Sequence, residues 1–189
     1  VITANLHWAF EEQLLVLTDE GPGIIRRRRV ADLILPTGEL LFGFPEESGI
    51  NTKGEAAAEL APGRYPVLFS VLDSEERGRS MAFVTIEVSD EKAVTWSCLG
   101  SFFTDDCDGC LVDASLAQEL RSRVSGLEPE AWKELKKAAL TEGEGELSLE
   151  SGAGNAIVFQ TPDGYFPYLQ GLDAEGKTAQ LVVVVYTGN

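Results

Sequence analysis

Ser80-Met81-Ala82-Phe83-Val84-Thr85-Ile86-Glu87-Val88 is the stretch whose reading decides the fold. Ala82, Val84, Ile86 and Val88 alternate with Phe83, Thr85 and Glu87, and a period of two marks a strand with two distinct faces. Upstream lies Arg64-Tyr65-Pro66-Val67-Leu68-Phe69-Ser70-Val71-Leu72, rich in β-branched and aromatic residues, with Glu75-Glu76-Arg77-Gly78 as the turn between. Downstream, Ser89-Asp90-Glu91-Lys92 turns into Ala93-Val94-Thr95-Trp96-Ser97-Cys98. Three strands with short loops predict an antiparallel meander.

Working outward, the period changes after Asp113. Leu116, Leu120 and Val124 fall four apart and predict a helix, with Asp113 as its N-cap and Asn expected to serve nearly as well there. Pro129 opens a second helix through Leu140, with Lys133, Lys136 and Lys137 late in it, where the helix dipole favours cations. Strands return at Asn155–Gln160, Tyr165–Leu172 and Ala179–Tyr186. Toward the N-terminus, Pro36-Thr37-Gly38-Glu39 separates Ala31–Leu35 from Leu40–Phe44 and reads as a hairpin, and Pro45–Leu60 reads as a loop. Ile2–Leu17 allows strands or a short helix through Phe10–Leu14. The expected fold is α+β: mostly antiparallel β-sheet(s) with two helices inserted between the N-terminal meander and the C-terminal strands. The 189 residues are expected to form a single domain, with residues 1–30 as a less regular N-terminal extension.

Charge narrows the partners. Fifteen Lys and Arg against 31 Asp and Glu leave a net charge of −16. Such a chain is repelled by nucleic acid and by anionic membranes, so neither is expected as a partner, and a basic protein is the better match. The basic run Arg26-Arg27-Arg28-Arg29 is expected to be a solvated turn or an edge strand whose charges block pairing. No apolar run reaches transmembrane length and no signal peptide is visible, which gives a cytoplasmic expectation. Three cysteines, Cys98, Cys107 and Cys110, are too few for a disulfide scaffold, and free thiols are expected.

Motifs that promise chemistry fall away one by one. Gly171-Leu172-Asp173-Ala174-Glu175-Gly176-Lys177-Thr178 fits the phosphate-binding loop by letter. Such a loop runs from a strand into a helix, however, and here β-branched residues follow, so a hairpin turn is expected and no nucleotide. Cys107-Asp108-Gly109-Cys110 lacks a second ligand pair for zinc, and its neighbouring aspartates would raise the thiol pKa values against redox use. Asp105-Asp106-Cys107-Asp108-Gly109 puts Thr104 and Ser115 at the positions where a calcium loop needs its first ligand and its bidentate Glu. His7, the sole histidine, lies beside Trp8 and offers no serine triad. No cofactor and no metal are expected. The acids and tyrosines Asp105, Asp106, Asp108, Asp163, Tyr165 and Tyr168 remain as a candidate ligand or partner surface.

Several stretches, taken in order, also carry a resemblance. They are Leu35-Pro36-Thr37-Gly38, Pro62-Gly63-Arg64-Tyr65-Pro66-Val67, Trp96, Gly109-Cys110-Leu111-Val112-Asp113-Ala114 and Tyr165-Phe166-Pro167-Tyr168-Leu169-Gln170-Gly171-Leu172-Asp173. From about Leu33 onward the chain resembles bacterial proteins grouped only as a domain of unknown function (DUF4241-like). The resemblance implies a shared fold and a bacterial source, and it brings no catalytic residues. Cys107, where the family has a small residue, makes the CxxC local to this chain, and the Gly-rich turn before the last tyrosines is reduced to Thr161-Pro162-Asp163-Gly164. Two functions remain: a non-enzymatic binding protein of immunity or regulatory type for a basic partner, or an enzyme or small-ligand protein using a carboxylate and tyrosine pocket.

Overall fold

The alternation around Val84 builds a wall of the core. In a computed structural model of the chain, which describes residues 6–18, 21–43, 58–76, 78–104 and 108–186, strand β5 (Gly63–Ser74) pairs antiparallel with β6 (Gly78–Glu87). Tyr65, Val67, Phe69 and Val71 of β5 and Met81, Val84 and Ile86 of β6 enter one apolar cluster. The simple period fails at one point. The register slips where Ser70 opposes Phe83 and Val71 opposes Met81, so Ala82 is the extra residue of a bulge. Ala82 and Phe83 therefore both join a second cluster on the opposite face, and the Ala82 carbonyl accepts from Val185 and Tyr186.

Two antiparallel sheets result. The larger holds β1 (Gln13–Thr18), β2 (Gly21–Leu35), β5, β6, β7 (Thr95–Thr104), β11 (Gly164–Leu172) and β12 (Thr178–Val184), in the spatial order β1-β2-β5-β6-β12-β11-β7. The smaller holds β3 (Glu39–Gly43), β4 (Ala58–Glu59), β8 (Asp108–Asp113), β9 (Glu146–Ser148) and β10 (Asn155–Gln160), in the order β4-β3-β8-β10-β9. Their facing sides share the main core, where Phe42 stacks near Phe102 at 6.2 Å and Phe69 meets Phe159 at 6.2 Å. Outside the small sheet lie α1 (Ala117–Ser125) and α2 (Pro129–Thr141), which bury Leu120, Val124 and Trp132 against Leu41, Val112 and Val158. Outside the large sheet a 3-10 turn, Leu6–Phe10, buries Leu6 and Ala9.

The α+β class with mostly antiparallel sheets and two helices is as expected, and four sequence expectations are corrected. The meander holds for β5 and β6 only: β12 and β11 come between β6 and β7. Alternation fixes which side chains face inward, and it leaves open which strand is the neighbour. The Pro36–Glu39 turn is no hairpin. It carries the chain from the large sheet, where β2 pairs with β5, to the small sheet, where β3 pairs with β8. The arginine run is no turn: Arg26–Arg29 lie inside β2 and all oppose β5, while β1 reaches only to Arg26, so Arg28 and Arg29 lie past its end on that side. Within residues 1–30, expected to be a less regular extension, Gln13–Thr18 form β1 and residues 21–30 form most of β2. Most of the loop read at Pro45–Leu60 lies outside the described residues, apart from β4 and Leu60.

Asp113 holds the sheet-switching corner. It is fully buried and caps the 3-10 turn Ala114–Leu116 that leads into α1, as expected, by accepting from the Ser115 N–H at 2.9 Å and its hydroxyl at 2.6 Å. It also accepts from the Thr37 N–H at 2.9 Å, the Thr37 hydroxyl at 2.8 Å and the Gly38 N–H at 3.2 Å. Gly38 has φ 85°, and a Cβ there would sit 2.1 Å from the Leu60 carbonyl oxygen, so only glycine fits. Asn155 ties the sheets at a second point: its amide accepts from Ile34 and donates to the Asp32 carbonyl and to Glu146.

Candidate functional site

The outer face of the large sheet carries a cleft of about 650 Å³. Its position follows from local structure. The 3-10 turn packs Leu6 and Ala9 downward, which leaves His7 exposed at the rim and lays Phe10 against Trp96 at a centroid distance of 5.4 Å. The segment Ser89–Ala93 between β6 and β7 forms the far wall, anchored where Val88 and Ser89 both donate to the Ala179 carbonyl. On the floor, Arg27 of β2 reaches across β5 to Glu87 of β6 at 2.8 Å. Arg27 is only 14% exposed, and its buried Nε has no hydrogen-bond partner among the described residues. Gln180 of β12 lines the floor as well.

Carboxylates outnumber cations in this cleft. Glu11, Glu87, Asp90 and Glu91 face Arg27 and Lys92, and Arg27 is already committed to Glu87. These groups suit a cationic guest, because the excess of carboxylates supplies attraction.

A second groove, about 340 Å³, lies where β2 meets the end of α2 and is lined in part by Arg26, Arg28, Asp73 and Arg79. Arg28 is occupied there. It donates to the carbonyls of Ala139 at 3.0 Å, Leu140 at 2.6 Å and Thr141 at 2.9 Å, the open C-terminal end of α2. Burial, and then the like charge of Arg79, lower its pKa, with Glu142 opposing. The lysines expected at that helix end lie elsewhere: Lys133 pairs with Glu130, Lys137 with Glu134, and Lys136 sits over the Trp132 ring.

Of the residues singled out from the sequence, Asp163, Tyr165 and Tyr168 do not line this cleft. Asp105 and Asp106, like Cys107, lie outside the described residues. Asp108 opens β8 opposite Gln160. Asp163 is exposed just before β11. Tyr165 and Tyr168 lie on opposite faces of β11. Tyr165 is 71% exposed against Phe103, while Tyr168 is half-buried on Phe42 at 4.6 Å, and burial raises its pKa. Cys110 is fully buried, and burial pushes its thiol pKa far above the usual range, which makes it inert. Among the described residues no group of three or more His, Cys, Asp or Glu side chains is placed to hold a metal ion. The loop that imitates a phosphate-binding motif is a hairpin turn, as expected. Asp173 accepts from the N–H groups of Glu175 and Lys177, and β11 pairs with β12 on either side.

An antiparallel two-sheet protein with helices on one outer face, and an acidic cleft on the other, is the class these features define. The chain belongs to the family described as Protein of unknown function (DUF4241), which matches residues 33–183. No curated protein and no solved structure matches at a significant level.

Proposed function

We propose that the chain is a non-enzymatic binding protein, of immunity or regulatory type, for a basic protein partner, and that a Lys or Arg side chain of the partner enters the cleft beside Trp96. The observation that carries this reading is the excess of carboxylates, Glu11, Glu87, Asp90 and Glu91, around the cleft on the outer face of the large sheet, in a chain with net charge −16. Opposite charges across an interface speed encounter and fix register. The arginine run gives nucleic acid little to hold, because Arg27 is paired with Glu87, Arg28 with the end of α2 and Arg29 with Asp32. Free Cys98 and Cys110 suit a reducing compartment and so a cytoplasmic location.

The test is affinity capture from lysate of the source cells, on immobilised wild type and on Asp90→Lys/Glu91→Lys. A basic partner held by wild type, released by moderate salt and missed by the charge-reversed protein is the expected result. Identical captures on both columns would overturn the reading. A second reading, a small-ligand site, has the cleft volume in its favour, since about 650 Å³ falls within the usual range for such pockets. It requires a chemistry without tyrosine, because neither Tyr165 nor Tyr168 lines the cleft.

A further inference from the structure

β7 is an edge strand of an unusual kind. It runs for 10 residues, Thr-Trp-Ser-Cys-Leu-Gly-Ser-Phe-Phe-Thr, with no charged residue and no proline. Among the described residues it pairs with β11 on one side and with nothing on the other. Soluble proteins normally blunt such an edge with lysine, proline or a short strand, because its free N–H and C=O groups otherwise recruit another strand. The one such device here is a bulge at Leu99, where the register slips between Gly100 and Cys98, and it leaves Leu99 39% exposed. Beside the edge, Phe103 is 47% and Tyr165 71% exposed, their rings 4.9 Å apart.

We propose that β7 is a dimerisation edge, on which a second copy of this chain lays its own β7 antiparallel and joins the two large sheets across a two-fold axis. Charge selects this occupant. A basic partner is drawn to carboxylates, and β7 has none from Thr95 to Thr104. A strand laid on a copy of itself is penalised by each like charge it carries near the axis, and this one carries none. An axis near Ser101 sets Phe103 of one copy opposite Leu99 of the other and withdraws both from water. The rival edge, β1, is shorter at 6 residues, although it exposes Leu15 and Leu17.

The strand is about 33 Å long, so the contact is small and the expected Kd lies at roughly 10–100 µM. Two molecules of charge −16 repel, so added salt strengthens this dimer. The complex with a basic partner weakens with salt, so the two ideas fail separately.

Sedimentation velocity of the full chain through that concentration range is the experiment, with Ser101→Lys and Leu99→Lys on β7 and Leu15→Lys on β1. The expected result is a reversible dimer that both β7 variants weaken by about tenfold or more, with unchanged thermal melts, and that Leu15→Lys leaves intact. A monomer throughout, a dimer indifferent to both β7 substitutions, or one lost only with Leu15→Lys would each overturn the proposal.

Discussion

Asp113 shows how much one side chain can be asked to do. A helix cap alone predicts that Asn replaces Asp nearly as well. The structure corrects that expectation, because five donor groups from Thr37, Gly38 and Ser115 converge on the two oxygens. Asn has one acceptor oxygen and would turn its NH2 toward buried N–H groups. Asp113→Asn is therefore expected to cost about 3 kcal/mol, measured by chemical denaturation at neutral pH, with Asp113→Ala worse. Acid adds a second signature. Burial raises the carboxyl pKa, but the hydrogen bonds from Ser115 and Thr37 outweigh it and hold the value below the ordinary one. The unfolded chain thus takes up the proton first. The stabilisation is complete above about pH 5 and is lost as pH falls through roughly 4 and below. The gap between wild type and Asp113→Asn should narrow over that window; a gap constant with pH would contradict the assignment.

At the scale of elements, much was legible and the failures have a common cause. The stripe Leu116, Leu120 and Val124 is buried as its spacing predicts, and Pro129 does open α2. Spacing along the chain reports which face is apolar, except where a bulge interrupts it, as at Ala82. It does not report partners distant in sequence. The end of α2 is the clearest case: its carbonyls take Arg28, more than a hundred positions upstream, in place of the nearby lysines. Arg28→Ala should destabilise the protein by about 2 kcal/mol, since bonds to a charged donor and a helix-dipole contact are lost together. Arg28→Lys should recover part of it, because an ammonium keeps the charge but cannot span three carbonyls in the same geometry. Equal melting temperatures for all three proteins would show that solvent serves the helix end as well. The cleft was invisible for the same reason: Arg27, Glu87, Trp96 and Gln180 come from four strands, and only sheet order brings them together. Arg27 lay hidden inside a run whose charges suggested a solvated edge.

For the molecule as a whole, the net charge of −16 is a term in stability as well as in recognition. Self-repulsion favours the expanded chain, and salt screens it. Raising the salt from low concentration should increase Tm at neutral pH, by roughly 2–4 °C for each kcal/mol screened in a chain of this size. A Tm that falls with salt would mean that local ion pairs outweigh the global repulsion. The place of β12 has a different consequence. It is made after every other described strand, yet it sits inside the large sheet, with β6 on one side and β11 on the other. During synthesis, β6 therefore waits with its inner edge open while nearly a hundred further residues are added, and translation delivers the missing neighbour last. A nascent chain in that condition holds an unfilled slot that fits any extended peptide. The period before β12 emerges is when a chaperone on the ribosome has most to protect.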